Sequence, residues 1–490
     1  MKKDKPFQPP IHQTRYEVFE ERIVLSAQPL QTFWLDPFEG ETLQAPYQEV
    51  APALETWDSV SSYSTIRDLY GFDGTGQTVA VIDTGIAYDH LALGGGYGEG
   101  FRVVGGWDFA ENDADPYDDG PGGFHGTHVA GIVGSDDDLY SGVASGVDLV
   151  ALRVFDDQGY GSFSWVEEAL QWVHDHKNDF ANPITTVNLS LGVDWNQNSI
   201  PEWAILEDEF AQLQADHIFV SVAAGNGFEN HANPGLAYPA SSHYVVPVAS
   251  HGNDGLLSDF SQRNERVLVA PGESIRSAVP DHLFGNSQNS NQTLSASGTS
   301  MAAPYVAGAS VILREAMEFA GIENINQSLL YEHLRETANQ FFDATSSQVY
   351  HRIDLASAID ALIKDVHGSD VATATELGDL ENRSRVSGTI GQISDVDAFI
   401  FSPKVSGKLT VALEGTHDLV PDLRIDGNPL TLKEGLVGIL TVPKKVIGYS
   451  TTNGFFPLPP IRESGTTKWT WKSHPTNQRS TWESSSNIDA

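Results

Sequence analysis

The 490-residue chain contains no cysteine, which excludes disulfide bonds, a cysteine nucleophile and thiolate metal sites. It also has no apolar run approaching the ~20 residues that a membrane-spanning helix requires. Its N-terminus, Met1 to Lys5, is charged and lacks the apolar core of a signal peptide. We therefore expect no membrane span, and any export has to be inferred from other features.

Basic residues are scarce: 28 Lys and Arg face 66 Asp and Glu, a formal net charge of −38. Such a chain repels phosphate backbones and anionic membranes, so nucleic acid is not an expected partner. The acidic excess would suit solubility in salty water or loosely held divalent cations. A solvated acidic surface explains it without either, and we favour that interpretation.

The length exceeds that of one ordinary core, and the sequence texture divides the chain into four parts. Residues 1–57 are rich in Pro, Gln and Glu, which predicts a largely irregular leader or short pro-segment, trimmed, if at all, between about residues 28 and 57. Residues 58–364 alternate apolar strand patterns with helical ones, which predicts an α/β domain with a mostly parallel sheet. Residues 374–448 contain short strand patterns separated by Gly, Asp and Pro, typical of a small all-β domain. The polar tail, 449–490, is left unassigned.

Three segments far apart in the sequence each hold one part of a nucleophilic hydrolase. Asp83 follows the apolar run 78–82, His125 begins the sequence His-Gly-Thr-His, and Ser300 lies in Gly-Thr-Ser-Met-Ala-Ala-Pro. A serine hydroxyl is a poor nucleophile near pH 7, so it needs a nearby base, and the base needs a buried carboxylate to fix its tautomer. Gly298 permits a tight turn and Pro304 suits the first turn of a helix. We therefore expect Ser300 at a helix N-terminus, where developing negative charge is favoured.

The three segments resemble the signature motifs of the subtilase family, in the Asp, His, Ser order of that family. The resemblance covers about residues 58–364. It implies a subtilisin-like three-layer α/β domain and a serine endopeptidase that needs no cofactor for its chemistry, with Ser300 as nucleophile, His125 as general base and Asp83 orienting His125. The family uses the first histidine of its motif, so the resemblance implies that His128 is structural.

Asn226 follows Ala223-Ala224-Gly225 and is similar to the asparagine that supplies the family's oxyanion donor. The alternative is a turn-forming Asn before Gly227. The backbone N–H of Ser300 is the expected second donor.

Two segments resemble those that flank the family's substrate cleft and pair with the peptide backbone. They are Ser190-Leu191-Gly192 and Ala223-Ala224-Gly225. The small apolar residues between them imply a broad preference for hydrophobic side chains before the scissile bond. Phe163, Val166 and Leu191 form a predicted hydrophobic subsite further from that bond, although each could equally be an ordinary core residue.

The metal sites are not determined by the sequence. Many subtilases have His-Pro-Asp at a calcium site, but this chain reads Asp89-His90-Leu91-Ala92, and Ala92 has no side-chain ligand. That places a structural calcium in doubt, although Asp136 to Asp138 lie in the loop that often supplies other ligands. A second acidic loop could hold another cation, but its spacing matches no compact motif and a solvated loop is favoured. Its acidic residues are Asp113, Asp115, Asp118 and Asp119.

Residues 374–448 resemble the bacterial pre-peptidase C-terminal domain, a small β-sandwich that is often removed, and the module looks incomplete. The segment Phe19 to Ala27 resembles a short N-terminal element of exported proteins from one bacterial group. Together these features predict a secreted bacterial enzyme, monomeric, that acts on protein or peptide substrates.

Two alternatives remain. A catalytically silent scaffold could use the same cleft to bind peptides, with the β domain as an adhesion unit. A lipase-like hydrolase would carry a G-x-S-x-G turn and the order Ser, Asp, His, whereas this chain has Ser-Gly-Thr-Ser-Met and the order Asp, His, Ser.

Overall fold

The computed structural model describes residues 66–363, except 68–69, 121–122, 138 and 285–290; beyond residue 363 it describes only the backbone of separate strands. The predicted leader, its export element and its trimming region therefore lie outside the described residues.

The strands of the domain are β1 Thr78–Asp83, β2 Val103–Asp108, β3 Asp148–Arg153, β4 Ile184–Leu189, β5 Val193–Gln197, β6 Phe219–Ala223, β7 Leu236–Tyr238, β8 Val246–His251, β9 Leu268–Pro271, β10 Ile275–Ala278, β11 Thr293–Ala296, β12 Asn339–Asp343 and β13 Gln348–Arg352. Nine of them form the central sheet, in the order β12-β13-β9-β8-β6-β4-β1-β3-β2. All neighbouring strands in it run parallel except β12, which is antiparallel to β13. The short pairs β5–β7 and β10–β11 lie outside it.

Helices cover both faces of this sheet, which explains why its inner strands are continuous apolar runs rather than alternating ones. One hydrophobic cluster lies on each face. The helices are α1 His125–Gly134, α2 Phe163–His176, α3 Glu207–Ala215, α4 Phe228–His231, α5 Asp281–Phe284, α6 Thr299–Phe319, α7 Gln327–Glu336 and α8 Leu355–Leu362, with a 3-10 turn at Leu91–Leu93. The predicted α/β architecture with a mostly parallel sheet is confirmed.

Helix α6 is the central helix on the face of the sheet that α1 also covers. Residues 299–317 of its 21 residues are buried, and it packs against β4, β6, β8, β9 and α1. Its sequence is rich in Ala, Gly and Ser, so the helix backbone can approach the sheet closely. This close packing holds the start of α6 at the carboxyl edge of the sheet.

The strand order places several motif residues at that edge. In the register of the sheet Ile82 lies opposite Leu189, so Asp83 and Ser190 follow neighbouring positions on β1 and β4. Leu189 pairs in turn with Val222, one residue before Ala223. After β1 the chain forms β2 and β3 on one side of β1 and then crosses to β4 on the other side, and such a change of direction in a parallel sheet is where ligands bind.

Beyond residue 363 the described backbone consists of strands. The first of them, β14 (Thr375–Leu380), β15 (Arg385–Thr389), β16 (Ala398–Pro403) and β17 (Gly407–Val411), fall in the part predicted to be all-β. The tail left unassigned by the sequence contains the strands Thr466–His474 and Arg479–Ser484. The assignment of 374–448 to a pre-peptidase C-terminal domain stays a prediction. In the part of the chain described, no helix has the length and apolar character needed to cross a membrane.

Candidate active site

Asp83 and His125 form a buried pair at the carboxyl edge of the sheet. The Nδ1 atom of His125 lies 2.8 Å from Oδ1 of Asp83, and the side chains are 3% and 0% exposed. Because the Asp83 carboxylate can only accept a hydrogen bond, Nδ1 of His125 carries the proton, and Nε2 is the basic atom of the neutral ring. The backbone N–H of Thr84 also donates to Asp83 Oδ1 at 2.8 Å, which fixes the carboxylate. The pair has the orientation that a general base requires.

The first turn of α1 positions both histidines of the motif. His125 is its first residue, and Gly126 donates its N–H to the Thr84 hydroxyl at 2.8 Å. His128 points to the other side, with its Nε2 3.0 Å from the backbone oxygens of Ile275 and Leu294. Burial lowers the pKa of His128 to about 4, so its ring is neutral near pH 7. These contacts support the structural role predicted for His128.

Ser300 lies in the first turn of α6, as the sequence predicts, and its hydroxyl donates to the backbone oxygen of Ser190 at 3.2 Å. The predicted position of Pro304 in the helix was wrong: α6 begins at Thr299, so Pro304 lies in the second turn. Proline has no N–H to donate to the oxygen of Ser300 four residues earlier. The Ser190 hydroxyl donates to that oxygen instead, at 2.8 Å, so the helix tolerates the proline.

Asn226 has its side-chain oxygen fixed by the residue before the nucleophile. Its Oδ1 accepts from the backbone N–H and from the hydroxyl of Thr299, each at 2.9 Å. A backbone N–H can only donate, so the atom facing Thr299 is the oxygen and the NH2 group points away from it. This orientation is the one that an oxyanion donor requires, and the role of Asn226 as that donor stays a prediction.

The two predicted substrate segments leave neighbouring parallel strands. Ser190, Leu191 and Gly192 continue β4, and Ala223 to Gly225 continue the end of β6. All six residues are buried. In the second segment the oxygens of Ala224 and Gly225 accept from Ala237 N and Gln262 N, both within the protein. We therefore expect the first segment to be the more available for pairing with a peptide backbone.

The predicted hydrophobic subsite is only partly at the surface. Val166 and Leu191 are fully buried in the core, whereas Phe163 is half-buried. The Phe163 ring packs against Trp203 and Tyr238, and all three pairs of ring centroids are 5.4 Å apart. Tyr238 lies opposite Val193 in the β5–β7 pair, close to the Ser190–Gly192 segment. We call these three rings the aromatic cluster; Trp203 is its most accessible member, at 37% exposed.

Trp203 and Tyr238 were not predicted as site residues from the sequence. Neither lies in a recognisable motif, and their contact with Phe163 joins parts of the chain 40 or more positions apart. Only the pairing of β5 with β7 could have indicated it.

The acidic loop at residues 113–119 is solvated at Asp113, Asp115 and Asp119, as favoured from the sequence, but not at Asp118. Asp118 is fully buried, and Asp119 forms an ion pair of 2.9 Å with Arg153, whose side chain is 2% exposed. Arg153 also binds Asp108 and Asp157, at 3.0 and 2.7 Å. The loop is ordered by these internal contacts, a possibility that sequence spacing alone does not reveal. Within the described ranges no group of three or more His, Asp or Glu is arranged to hold a metal ion.

Comparisons with known proteins identify the family. A sequence model of the subtilase family matches residues 74–354. The intracellular serine protease of Paenibacillus polymyxa is 33% identical over 268 residues, covering 53% of this chain and 73% of the relative. The halolysin-like extracellular serine protease Nep of Natrialba magadii is 29% identical over 414 residues, covering 80% of this chain and 70% of the relative. A crystal structure of a cold adapted subtilisin-like serine proteinase is 29% identical, covers 58% of this chain and 92% of that one, and superposes with a TM-score of 0.45.

Subtilisin E of Bacillus subtilis (strain 168) is 30% identical over 246 residues, which cover 50% of this chain and 56% of subtilisin E. The chain thus spans little more than half the length of that relative. The family match extends over more than half of the 490 residues and includes Asp83, His125, Asn226 and Ser300. The chain therefore belongs to the subtilase family and is a subtilisin-like serine endopeptidase.

Proposed function

We propose that the enzyme hydrolyses peptide bonds through an acyl-enzyme formed on Ser300. His125 Nε2 removes the proton of Ser300 Oγ as that oxygen attacks the carbonyl carbon, and then delivers it to the leaving amine. Asp83 holds His125 in the required tautomer and stabilises the imidazolium. A water molecule, activated by the same nitrogen, then releases the acyl group. The observation that carries the proposal is the buried contact between His125 and Asp83. It lies at the same edge of the sheet as the hydrogen bond from the Ser300 hydroxyl to Ser190.

Asn226 and the N–H of Ser300 are the proposed donors to the oxyanion of the tetrahedral intermediate. The oxyanion forms beside the N-terminus of α6, where backbone N–H groups lack partners within the helix. Thr299 fixes the amide of Asn226 before the substrate arrives, so no reorientation is needed in the transition state.

The substrates we propose are proteins and peptides with hydrophobic side chains before the scissile bond. The segments Ser190–Gly192 and Ala223–Gly225 would line the cleft, and the aromatic cluster would extend it. Val166 would support Phe163 from the core, where it is fully buried.

The compartment is also a proposal, because one relative is described as extracellular and others as intracellular. We propose secretion, on the grounds of the N-terminal element at Phe19 to Ala27 and the β-rich sequence that follows the protease domain. Fractionation of the source cells tests this: full-length or trimmed enzyme in the medium is expected, and enzyme retained in the cytoplasm would contradict it.

A fluorophosphonate probe and casein hydrolysis together test the proposed mechanism. The wild-type protein should be labelled and should lose casein hydrolysis in proportion to labelling, whereas Ser300→Ala should show neither. Ser300→Ala is a matched control because it removes one oxygen from a packed helix. Absence of labelling in natively folded wild-type protein would favour the silent scaffold, and labelling without casein hydrolysis would favour the lipase-like enzyme.

A further inference from the structure

Asp118 is a buried carboxylate that the proposed mechanism does not use. It lies seven positions before His125, and its side chain has no solvent exposure. Its Oδ2 accepts from the backbone N–H of Thr127 at 3.0 Å and from the Thr127 hydroxyl at 2.5 Å. Burial raises the pKa of this carboxyl to about 7, and the hydrogen bonds from Thr127 oppose the rise. Burying such a group is costly, so its position calls for a physical reason.

The N-terminus of α1 supplies that reason. Helices commonly begin with a Ser, Thr, Asp or Asn whose side chain accepts the N–H of the second or third helical residue. In α1 the residue at that position is Phe124, which cannot cap, and the first turn contains no acidic residue. Thr127 is the third residue of α1, so Asp118 accepts the N–H that a local cap would have satisfied. When ionised, the carboxylate also lies at the positive end of the helix dipole, which favours its negative charge.

The same contact ties α1 to the loop that follows Asp83. The Thr127 hydroxyl, held by Asp118, accepts from the backbone N–H of Ala87 at 2.9 Å. Pro116 in the acidic loop accepts from Ile86 N at 3.0 Å. Gly85 is required here, because a Cβ at that position would lie 2.6 Å from the oxygen of Pro116.

We propose that Asp118 is a positioning residue of the active site: by capping α1 from the acidic loop, it holds His125 in the orientation that Asp83 and Ser300 require. This inference rests on the proposed function. Asp118 acts chiefly through Thr127, and also through a side-chain hydrogen bond with Thr84, and it touches neither the substrate nor the reacting atoms.

The test compares three variants of the full chain, with kcat and KM measured on a chromogenic peptide and labelling rates on a fluorophosphonate. Asp118→Ala removes the cap and should lower kcat and the labelling rate about 10- to 100-fold, with KM changed less than about twofold. Asp118→Asn keeps an oxygen that can accept from Thr127 and should recover most of the lost kcat. Asp119→Asn is the matched control: it removes the neighbouring carboxylate, which faces Arg153 rather than α1, and should retain wild-type rates.

A double-mutant cycle with Thr127→Val completes the design. If Asp118 acts through Thr127, the double variant with Asp118→Ala should be no slower than the slower single variant. The proposal is overturned if folded Asp118→Ala has the kcat of Asp119→Asn, if Asp118→Asn is as slow as Asp118→Ala, or if the two losses simply multiply. Should Asp118→Ala not fold, Asp118→Ser replaces it in the comparison with Asp118→Asn. The serine side chain is one bond shorter and cannot reach the Thr127 N–H, so a folded Asp118→Ser enzyme with wild-type kcat overturns the proposal. Failure of the proposed function would appear separately, as wild-type protein that is neither labelled nor active.

Discussion

Among single residues, Asn226 has the most specific geometry for one catalytic task. Thr299 occupies its Oδ1 with two donors, so only its NH2 group can face an oxyanion. Asn226→Ala should lower kcat by roughly 10² to 10³ with little change in KM, because the lost hydrogen bond forms mainly in the transition state. Steady-state kinetics on a peptide substrate measures this. Asn233→Ala, at an exposed position nearby in the chain, serves as control, and an unchanged kcat for Asn226→Ala would refute the assignment.

Glu209 carries a prediction about pH at the residue scale. Burial raises its pKa from 4.5 to about 7, so between these values the folded protein holds a proton that the unfolded chain releases. Its contribution to stability is therefore present at low pH and is lost as pH rises through that interval. Glu209→Gln should remove this loss. Its free energy of unfolding should therefore rise relative to that of the wild type by roughly 1 to 3 kcal/mol as the pH is raised from 5 to 8.

Urea unfolding at the two pH values measures the effect of Glu209→Gln. The exposed Glu229→Gln removes the same charge without the burial and should show no comparable gain. A wild-type minus variant difference that is constant with pH would contradict the predicted titration.

The residues that carry the chemistry were predictable because each lies in a contiguous motif. Asp83, His125 and Ser300 are recognisable by their neighbours, and the sheet register then brings their segments to one edge. Asp118 was not predictable, because four aspartates share its loop and nothing in their spacing distinguishes the buried one from the solvated ones.

At the scale of elements, the start of α6 depends on β4. Because Pro304 donates nothing to the oxygen of Ser300, the Ser190 hydroxyl does so, and that hydroxyl accepts in turn from Asn188 Nδ2 at 2.9 Å. Ser190→Ala leaves buried groups on both elements unsatisfied, which should cost about 1 to 3 kcal/mol of stability. The start of α6 should also shift enough to lower kcat by about 10-fold.

Ser310→Ala is the matched control for Ser190→Ala. Ser310 is a buried serine further along α6, bonded to Ala307 O and to the Thr186 hydroxyl. Its loss should lower stability with little effect on kcat. If the two variants have the same kcat, the contact between β4 and the start of α6 does not position the nucleophile.

The aromatic cluster joins α2, β7 and the segment between β5 and α3, with Tyr238 fully buried and Trp203 as the exposed member. Trp203→Ala should lower kcat/KM about fivefold for peptides with a large hydrophobic residue several positions before the scissile bond, since an aromatic contact contributes about 1 kcal/mol. Peptides with alanine there should be cleaved at nearly the wild-type rate. Profiling with a peptide library measures the difference, and Trp172→Ala, which removes a Trp stacked on His176 instead, is the control. An equal loss for both peptide classes would contradict a subsite role.

The sequence predicted the inner strands but misplaced the start of α6. The inner strands were predictable as apolar runs, whereas the start of α6 was misplaced because the missing N–H of Pro304 is compensated by a side chain from another element. Long-range compensation of this kind leaves no signal in the local sequence.

For the whole molecule, the parallel sheet explains how segments from residues 83 to 300 meet at one site. Some of the acidic residues have structural roles in the protease domain. Asp118 caps α1, and Asp108, Asp119 and Asp157 form ion pairs with Arg153. The sequence predicted the charge but could not show which carboxylates are structural, because that depends on burial.

The central claim is that His125 and Asp83 make Ser300 the reactive nucleophile, and mass spectrometry of the fluorophosphonate-treated protein tests it most directly. Peptide mapping should place a single adduct on Ser300, with His125→Ala slowing its formation by several orders of magnitude. An adduct on another residue, or an undiminished labelling rate in folded His125→Ala, would contradict the account.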